Sequence, residues 1–468
     1  MKSAILVGTL LSATSGAQAA ISISPAATRN MSCSDGVCAP TASMAVLNVG
    51  DLESLLAIGE VTVTTTGSDV QAHEIKLEAM LTWSSASALS LDAQTSVFLK
   101  RPMEISGTGG LSLLTNDGGS GGVLSIEPPG HVTFADLSSS LSINGTSYIL
   151  EDSVANLAAA IAAKPNGSYA LANGYNAESD GNWPAAPIAS FDGSFDALGN
   201  SIHNLSIKSG HKVSNTVGLF GLLKVNGTIA HLRLNHAEIK SGAAVTGGIV
   251  GKNRGNLFED FADGKISGKH YVGGIAGYNE GIVENASSGG KVITNYQYGI
   301  AGGLVGVNSG EIGRSWSSAQ SSGGLFAGGL VGIQYFQHFQ RKEQPIEIVD
   351  CYATGTASAA RGTGGFAGDS EGAPIMTSYS TGAAVGGASG GFLGEGGANG
   401  GLTEDLWDVT TSGTDRGIGD DTGNTGLVGE TTTQLQSGLP AGFQHSIWTQ
   451  DPDINNGLPY LVENPPIE

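Results

Sequence analysis

The sequence predicts an all-β fold: a parallel β-helix, or solenoid, with one short lateral helix and a C-terminal cap. Three observations predict it. A phrase of the form Gly-Gly-apolar-apolar-Gly returns along the second half of the chain, alternating apolar and polar runs separate its copies, and Asn and Gly stand at the turns. Such a repeat is typical of architectures whose units bury their apolar faces by stacking. The copies start at 217 (Val replaces the first Gly), 247, 273, 302, 328, 364 and 390, so the steps are 30, 26, 29, 26, 36 and 26 residues.

The residues between two copies predict the path of one coil. A polar Asn-x-Gly turn such as 252–255 follows the phrase, and an alternating run such as 282–286 follows a turn. Short β-branched runs broken by Asn and Gly indicate strands, and these turn residues are expected to supply positive φ angles. Three strands and three corners then make one coil, with coils about 4.8 Å apart. A disordered Gly-rich linker is the alternative, but it does not explain apolar residues that return in phase.

Composition limits the classes of partner. Glycine contributes 73 of 468 residues and aromatic residues only 6%, which suits thin coils rather than a thick globular core. Asp and Glu outnumber Lys and Arg by 42 to 21, and the net charge of −21 disfavours nucleic acid and anionic membranes as partners. No run after the N-terminal segment is long enough to span a bilayer.

The N-terminal segment has the three parts of a secretory signal peptide. Lys2 supplies the positive charge, residues 4–11 form an apolar stretch, and Ala17-Gln18-Ala19 matches a cleavage site of small residues. A buried N-terminal helix is the alternative and fits the Ala-x-Ala end poorly. We expect cleavage near Ala19 and a protein that is secreted or displayed on the cell surface.

The seven phrases and the Asn-x-Gly turns resemble the GLUG motif of large bacterial surface proteins of the filamentous-haemagglutinin type. This motif also occurs beside some immunoglobulin A1 proteases. The resemblance implies a right-handed β-helix of structural modules and an adhesin-like function: attachment to a glycan or protein of a host or matrix. Residues 45–141 are similar to the passenger region of those exoproteins, which implies an outer-membrane secretion partner. The chain departs from the family pattern because the full N-terminal secretion domain is not found.

These patterns divide the chain into five predicted parts. They are a signal peptide (1–19), a filamentous-haemagglutinin-like solenoid (20–150), a helical excursion or linker (151–190), a GLUG-repeat solenoid (191–400) and a cap (401–468). In the linker, Asp152 is expected to N-cap a helix over 153–163 that joins the two halves. Trp407, Phe443, Trp448 and Tyr460 suit a cap over exposed ladders and strand edges.

The long step of 36 residues places an insertion at residues 334–343. Insertions in solenoids project from one face, which is often a binding face. The candidate contact residues are Tyr335, Phe336, His338, Phe339, Arg341 and Lys342. The alternative is a loop whose aromatic side chains fold back over the coil.

Three cysteines and one acidic loop are candidate structural sites. Cys33 and Cys38 flank a turn-rich loop and are a candidate disulfide. A metal site is the alternative, disfavoured because neither His nor further Cys lies nearby. Cys351 is expected to be a small residue inside the coil. Acids and glycines at 415–424 suggest a calcium-stiffened loop, although the spacing matches no known calcium loop.

The sequence contains no recognisable catalytic constellation. His73-Glu74 begins like a zinc-protease helix, but no His follows four residues after His73, so protease activity is not expected. β-Helix polysaccharide lyases and hydrolases carry clustered acids on one face. The acids near coil corners do not recur in phase; they are Asp192, Asp196, Glu259, Asp260 and Asp263. We therefore expect a non-catalytic attachment protein without a cofactor. A β-helix carbohydrate-active enzyme and a fragment of a larger exoprotein are the alternatives.

Overall fold

The protein folds as an all-β parallel β-helix, as the repeats predict. The structure, a computed structural model, describes residues 19–210, 215–335, 345–396, 401–420 and 426–466. Most of its strands pair in parallel from coil to coil, and a 16-stranded sheet runs through most of the described chain. Two large hydrophobic cores lie inside the coils. We call the coils of residues 20–143 the first solenoid and those of 146–430 the second solenoid.

Two short sheets belong to the first solenoid, and the 16-stranded sheet continues into the second. The five-stranded sheet has the spatial order Leu124–Ile126, Val97–Leu99, Glu74–Leu77, Ala20–Ser24 and Met44–Asn48. The three-stranded sheet contains Val132–Phe134, Met103–Ile105 and Leu81–Trp83. The 16-stranded sheet contains Met31–Ser34, Val37–Pro40, Val61–Thr64, Leu89–Asp92, Leu111–Leu114, Leu141–Ile143, Thr146–Glu151, Ser168–Leu171, Ser194–Asp196, Thr228–Ala230, Asn256–Phe258, Ile282–Glu284, Glu311–Gly313, Glu347–Val349, Ile375–Met376 and Leu402–Thr403.

Two further sheets belong to the second solenoid, and a hairpin follows them. The eight-stranded sheet contains Ile188–Phe191, Phe220–Leu223, Val250–Asn253, Ala276–Asn279, Val305–Asn308, Val331–Gln334, Ala367–Ser370 and Leu393–Gly396. The 21-stranded sheet contains Tyr175–Asn176, Asn182–Trp183, Ser201–His203, Ser206–Ser209, Thr216–Val217, Arg233–Ser241, Val245–Gly247, Phe261–Gly268, Tyr271–Gly273, Ser287–Ser288, Lys291–Thr294, Ile300–Gly302, Trp316–Ser317, Gln320–Ser322, Phe326–Gly328, Tyr352–Ala353, Ala357–Gly364, Tyr379–Ser380, Ala384–Gly390, Asp405–Asp408 and Leu427–Glu430. The hairpin pairs Trp448–Thr449 with Tyr460–Leu461.

Registered pairing stacks apolar side chains into buried ladders. In the 16-stranded sheet, one ladder of the second solenoid consists of Ile229, Leu257, Val283, Ile312 and Ile348. Each of these side chains is 0% exposed. Full burial of such a side chain stabilises the fold by about 1.5–3 kcal/mol, so the ladders hold successive coils in register.

The Asn-x-Gly turns are held by a ladder of side-chain amides. The amide nitrogens of Asn253, Asn279 and Asn308 donate to the side-chain oxygen of the next coil at 2.7, 2.7 and 2.8 Å; the last acceptor is Gln334. The turn glycines Gly255, Gly281 and Gly310 do not supply the predicted positive φ, although Asn285 and Gly290 at other corners do, with φ of 51° and 78°. A Cβ atom on Gly281 would lie 2.0 Å from the carbonyl oxygen of Gly255, the equivalent residue of the previous coil. Close stacking therefore requires glycine there.

A second corner of the coil uses left-handed residues that are not glycine. They have φ between 43° and 57° and are His231, Glu259, Asn285, Arg314, Asp350, Thr377 and Glu404. In five coils, the side chain of the residue after the left-handed one accepts a hydrogen bond from a main-chain N–H of the previous coil. These accepting residues are Asp260, Ser315, Cys351, Ser378 and Asp405. Cys351 is a buried residue of this ladder, inside the coil as predicted. Its sulfur accepts from Ser315 N–H at 3.4 Å.

The strand direction reverses between the two solenoids. Strand Leu141–Ile143 pairs antiparallel with Thr146–Glu151, which then pairs in parallel with Ser168–Leu171. No sequence pattern predicts this reversal. Because of this reversal, the five-stranded and three-stranded sheets end at Leu124–Ile126 and Val132–Phe134 and do not continue into the second solenoid. Side chains of the second solenoid contact the edges of these two strands instead.

A helix stands at the start of each solenoid. Helix α1 (Val49–Leu56) was not predicted; its Glu53 carboxylate accepts from the N–H of Thr82 on the outermost strand of the three-stranded sheet. Helix α2 (Val154–Ala163) is the predicted lateral helix and contacts Ile188–Phe191, the outermost strand of the eight-stranded sheet. The predicted N-cap was wrong by one residue, because the Ser153 hydroxyl, not Asp152, accepts from Asn156 N–H. Each helix covers an otherwise open edge.

The predicted C-terminal cap covers one flank of the second solenoid. After helix α3 (Thr432–Leu435), the chain folds back over a stack of Trp316, Tyr352 and Tyr379, with ring centroids 5.7 and 5.2 Å apart. Trp448 is fully buried against this stack and donates from Nε1 to Asp350 at 3.1 Å. The tail is therefore a strap along several coils.

Candidate functional site

An open groove crosses the strand ends of neighbouring coils on the outside of the second solenoid. Its volume is about 370 Å³. The lining residues are Ser209, Gly210, Lys240, Ser241, Gly242, Ser267, Gly268, Lys269, Asn295 and Tyr296. They stand at equivalent positions at, or just after, the ends of four neighbouring strands of the 21-stranded sheet. The groove therefore runs along the solenoid axis, across the strands.

Aromatic rings form one end of the groove. The Tyr296 ring contacts His270 edge to face with centroids 4.5 Å apart, and Tyr298 lies 5.6 Å beyond it. The Nζ atom of Lys269 lies 5.3 Å from the Tyr296 centroid, a cation–π distance. Burial and the charge of Lys269 lower the pKa of His270, which favours the neutral form of this ring. Tyr298 is 56% exposed and leaves a ring face available to a ligand.

The groove combines the groups that recognise a hydroxyl-rich polar ligand. The Ser241 hydroxyl accepts from Ala243 N–H and can still donate, and the Ser267 hydroxyl donates to the Ile239 carbonyl and can still accept. The Asn295 amide can do both, lysine ammonium groups supply positive charge, and tyrosine rings offer an apolar face with a polar tip. Sequence analysis did not identify these residues. A signal was present, because lysines recur at 208, 240, 265 and 291, close to the coil step.

The predicted contact loop can be placed at one position only. Phe336, His338, Phe339, Arg341 and Lys342 lie outside the described residues. Tyr335 is described and packs against an outer apolar cluster that includes Tyr278, Val307 and Phe326. At this position the aromatic side chain covers the coil.

Three of the five predicted acids meet at the junction of the two solenoids. The side chains of Asp196 and Glu259 are 8% and 9% exposed, and Asp260 is 1% exposed. They surround His231, which sequence analysis missed. Asp260 Oδ1 accepts from Leu232 N–H at 3.0 Å. Glu259 Oε2 accepts from Ile126 N–H at 3.0 Å, on the outermost strand of the five-stranded sheet. Both carboxylates therefore bind main-chain groups.

The contacts of His231 require a charged imidazolium. Its Nδ1 lies 3.0 Å from Asp196 Oδ1, and its Nε2 lies 3.1 Å from the Leu124 carbonyl oxygen. Both partners only accept, so both ring nitrogens must carry a proton. Burial alone lowers the pKa of His231, but Asp196, Glu259 and the Leu124 carbonyl outweigh it and raise the pKa to about 9. Burial raises the pKa of Glu259 and of Asp260.

The cavity beside these acids is too small for a sugar. Its volume is about 30 Å³, and its walls include Arg233, Glu259, Asp260 and Asn285. That space holds about two or three water molecules. Asp260 Oδ2 and Asn285 Oδ1 are buried and have no hydrogen-bond partner among the described residues. The space beside Glu259 and Asp260 is therefore too small to serve as a substrate groove.

The remaining predicted acids make separate main-chain contacts. Asp192 accepts from Asn226 N–H at 3.2 Å, and Asp263 accepts from His236 N–H. Of the acidic loop at 415–424, residues 421–424 lie outside the described residues, and Asp420 accepts from Gly396 N–H at 3.3 Å. Among the described residues, no group of three or more His, Cys, Asp or Glu side chains is arranged to hold a metal ion.

Cys33 and Cys38 form a disulfide across the hairpin of Met31–Ser34 and Val37–Pro40. This hairpin is at one end of the 16-stranded sheet. The bond therefore fixes the first edge of that sheet. The described chain includes no helix with both the length and the apolar character needed to cross a membrane.

Comparisons with known proteins give little further information. No protein-family model matches the sequence, and no curated protein matches it significantly. One similar solved structure is a candidate immunoglobulin A1 protease from Bacteroides ovatus, at 16% identity and a TM-score of 0.40. The match covers 63% of this chain and 85% of that one. Similarity at this level carries no argument about function.

Proposed function

We propose that the protein is an exported, non-catalytic attachment protein of the adhesin type, which binds an extracellular glycan in the groove of the second solenoid. The observation that carries this proposal is the groove itself. It is open along several coils and lined by hydroxyl, amide, ammonium and aromatic groups. A rigid solenoid holds these groups in fixed positions, which lowers the entropic cost of binding a long polymer.

The position of the acids supports attachment over catalysis. A polysaccharide lyase or hydrolase needs ionisable groups that reach the scissile bond. Asp196, Glu259 and Asp260 are buried, accept main-chain hydrogen bonds or pair with His231, and adjoin a cavity of about 30 Å³. Glu259 joins the two solenoids directly and Asp196 does so through His231, whereas Asp260 binds Leu232 within the second solenoid.

Two sequence features support export to the cell surface or medium. The signal-peptide pattern ends at Ala19, and the first buried strand, Ala20–Ser24, starts at the next residue. The resemblance to GLUG-type surface exoproteins points the same way, with export through an outer-membrane secretion partner as part of the proposal. Detection of the mature N-terminus at or near Ala20 in the medium or on intact cells tests export. A full-length intracellular chain contradicts it.

A single binding experiment separates attachment from catalysis. The purified chain 20–468 is incubated with immobilised extracellular polysaccharides and matrix proteins, and retention and the release of reducing ends are measured in the same tubes. Attachment predicts retention without product. We expect Tyr296→Ala to weaken retention, whereas Tyr148→Ala, remote from the groove, serves as the matched control. Release of reducing ends contradicts the proposal and supports a carbohydrate-active enzyme.

A further inference from the structure

The groove belongs to a lysine-rich surface within an acidic protein. The net charge is −21, yet Lys208, Lys240, Lys265 and Lys291 project from the same face of the 21-stranded sheet, and Lys269 lies in the groove. We propose that this face, the lysine ladder, binds a polysaccharide that carries carboxylate or sulfate groups. This inference rests on the proposed function and names the class of its ligand.

Strand register places the lysines next to one another. Lys208 pairs with Lys240 on the neighbouring strand, and Lys265 lies between Lys291 on one side and Glu238 on the other. Lys240 stands beside Ser267, two residues after Lys265, so the two pairs are in adjacent columns of the same face. Neighbouring strands lie about 4.8 Å apart. Like charges at this spacing destabilise a sheet unless an anion compensates them.

The protein compensates this charge only in part. Lys208 Nζ lies 3.8 Å from Glu238 in an exposed pair. In contrast, Lys240, Lys265 and Lys291 have no carboxylate within 4 Å among the described residues, although each is exposed. Outside the ladder, Lys76, Lys100 and Lys252 are paired with a carboxylate, whereas the isolated Lys164 and Lys224 have no such partner in the described part of the chain. The unpaired ladder therefore favours a ligand that brings its own negative charges.

The surrounding residues favour a polysaccharide over nucleic acid. Double-stranded DNA carries a charge about every 1.7 Å, and a protein with a net charge of −21 repels it outside a small basic patch. A polysaccharide with at most one or two charges per sugar has longer uncharged stretches between its charges than DNA has. The groove beside the ladder offers serine hydroxyls, the Asn295 amide and the Tyr296 ring to those stretches.

Binding of defined polymers by the whole chain 20–468 tests the inference. The probes are polygalacturonate (carboxylate), dextran sulfate (sulfate), neutral dextran and single-stranded DNA, at low and high salt. The key variant is Lys265→Gln/Lys291→Gln. The matched control, Lys164→Gln/Lys224→Gln, removes the same charge from exposed lysines without a carboxylate within 4 Å and outside the ladder. Thermal unfolding of both variants verifies folding.

We expect binding to one or both anionic polysaccharides, and the two arms show which anionic group is recognised. The ladder variant should bind about tenfold more weakly at low salt, as expected for two exposed ion pairs, and the control variant less than twofold. The salt dependence should also decrease in the ladder variant. Equal losses in both variants overturn the inference, as does tighter binding to DNA. Equal binding to neutral dextran overturns the inference but leaves attachment intact, whereas failure to retain any member of the wider panel contradicts attachment itself.

Discussion

Substituting His231 tests whether a buried charge cluster holds the two solenoids together. The variant His231→Gln removes the cation between Asp196 and Glu259 and leaves two buried carboxylates without it. His236→Gln is a matched control, because His236 has the same φ of 55° but is exposed. Breaking a buried ion pair from one side costs about 3–5 kcal/mol. We therefore expect a loss in that range for His231→Gln and less than about 1 kcal/mol for the control.

The pKa of His231 gives a second measure of how much its charge contributes to the free energy of unfolding. The pKa of His231 is raised from 6.5 to about 9, which corresponds to about 3 kcal/mol at 1.36 kcal/mol for each pKa unit. Because the folded pKa lies above the unfolded value, this stabilisation is fully present below pH 6.5. It is lost progressively as the pH rises through 9. The difference in unfolding free energy between the parent and His231→Gln should therefore shrink over that interval.

Urea unfolding at pH 6, 7.5 and 9.5 measures the effect. Tryptophan fluorescence reports both solenoids, since Trp83 lies in the core of the first solenoid and Trp407 in that of the second. Loss of the junction should let the two solenoids unfold at separate urea concentrations. A loss no larger than that of His236→Gln refutes the reasoning, and so does a parent–variant difference that stays constant from pH 6 to pH 9.5.

Three further predictions test the ladders and the strap. Asn279→Ala removes a buried amide that accepts from Gly281 N–H at 3.1 Å and donates to Asn308. It should lower the free energy of unfolding in urea by about 2–4 kcal/mol. A loss equal to that of the exposed Asn295→Ala contradicts the amide ladder. Trp448→Ala should cost about 3–5 kcal/mol and expose the tail to limited proteolysis, and an unchanged cleavage pattern argues against a packed strap. Burial raises the pKa of the Cys351 thiol, so iodoacetamide should label it only in urea; rapid labelling of the native chain at pH 8 contradicts its place inside the coil.

Sequence patterns predicted the fold because the coil depends on local and repeated features. The Gly-Gly-apolar-apolar-Gly phrases recur once per coil, so the length of each coil can be read from the sequence without knowledge of distant contacts. The predicted Asn-x-Gly turns are present, although their glycines serve close packing of coils and not positive φ. Left-handed residues such as Glu259 and Arg314 carry long side chains, so composition gave no sign of that corner.

The missed features depend on contacts between distant residues or on weak local signals. His231 contacts Leu124, 107 residues away, and the antiparallel strand pair at the junction brings those segments together. No periodicity encodes that contact. Helix α1 did have a local signal, since Asn48 caps Gly50 and Asp51, but its position among alternating strands hid it. The ladder lysines recur near the coil step, yet their pairing requires the register, which only the structure supplies.

Lysine footprinting of the bound complex tests the central claim most directly. The chain 20–468 is acetylated with and without saturating anionic polysaccharide, and modification of each lysine is measured by mass spectrometry. The account predicts protection of Lys240, Lys265 and Lys291, with Lys164 and Lys224 unchanged. Equal protection of all five contradicts a specific groove, and protection confined to Lys342 places binding on the insertion loop instead.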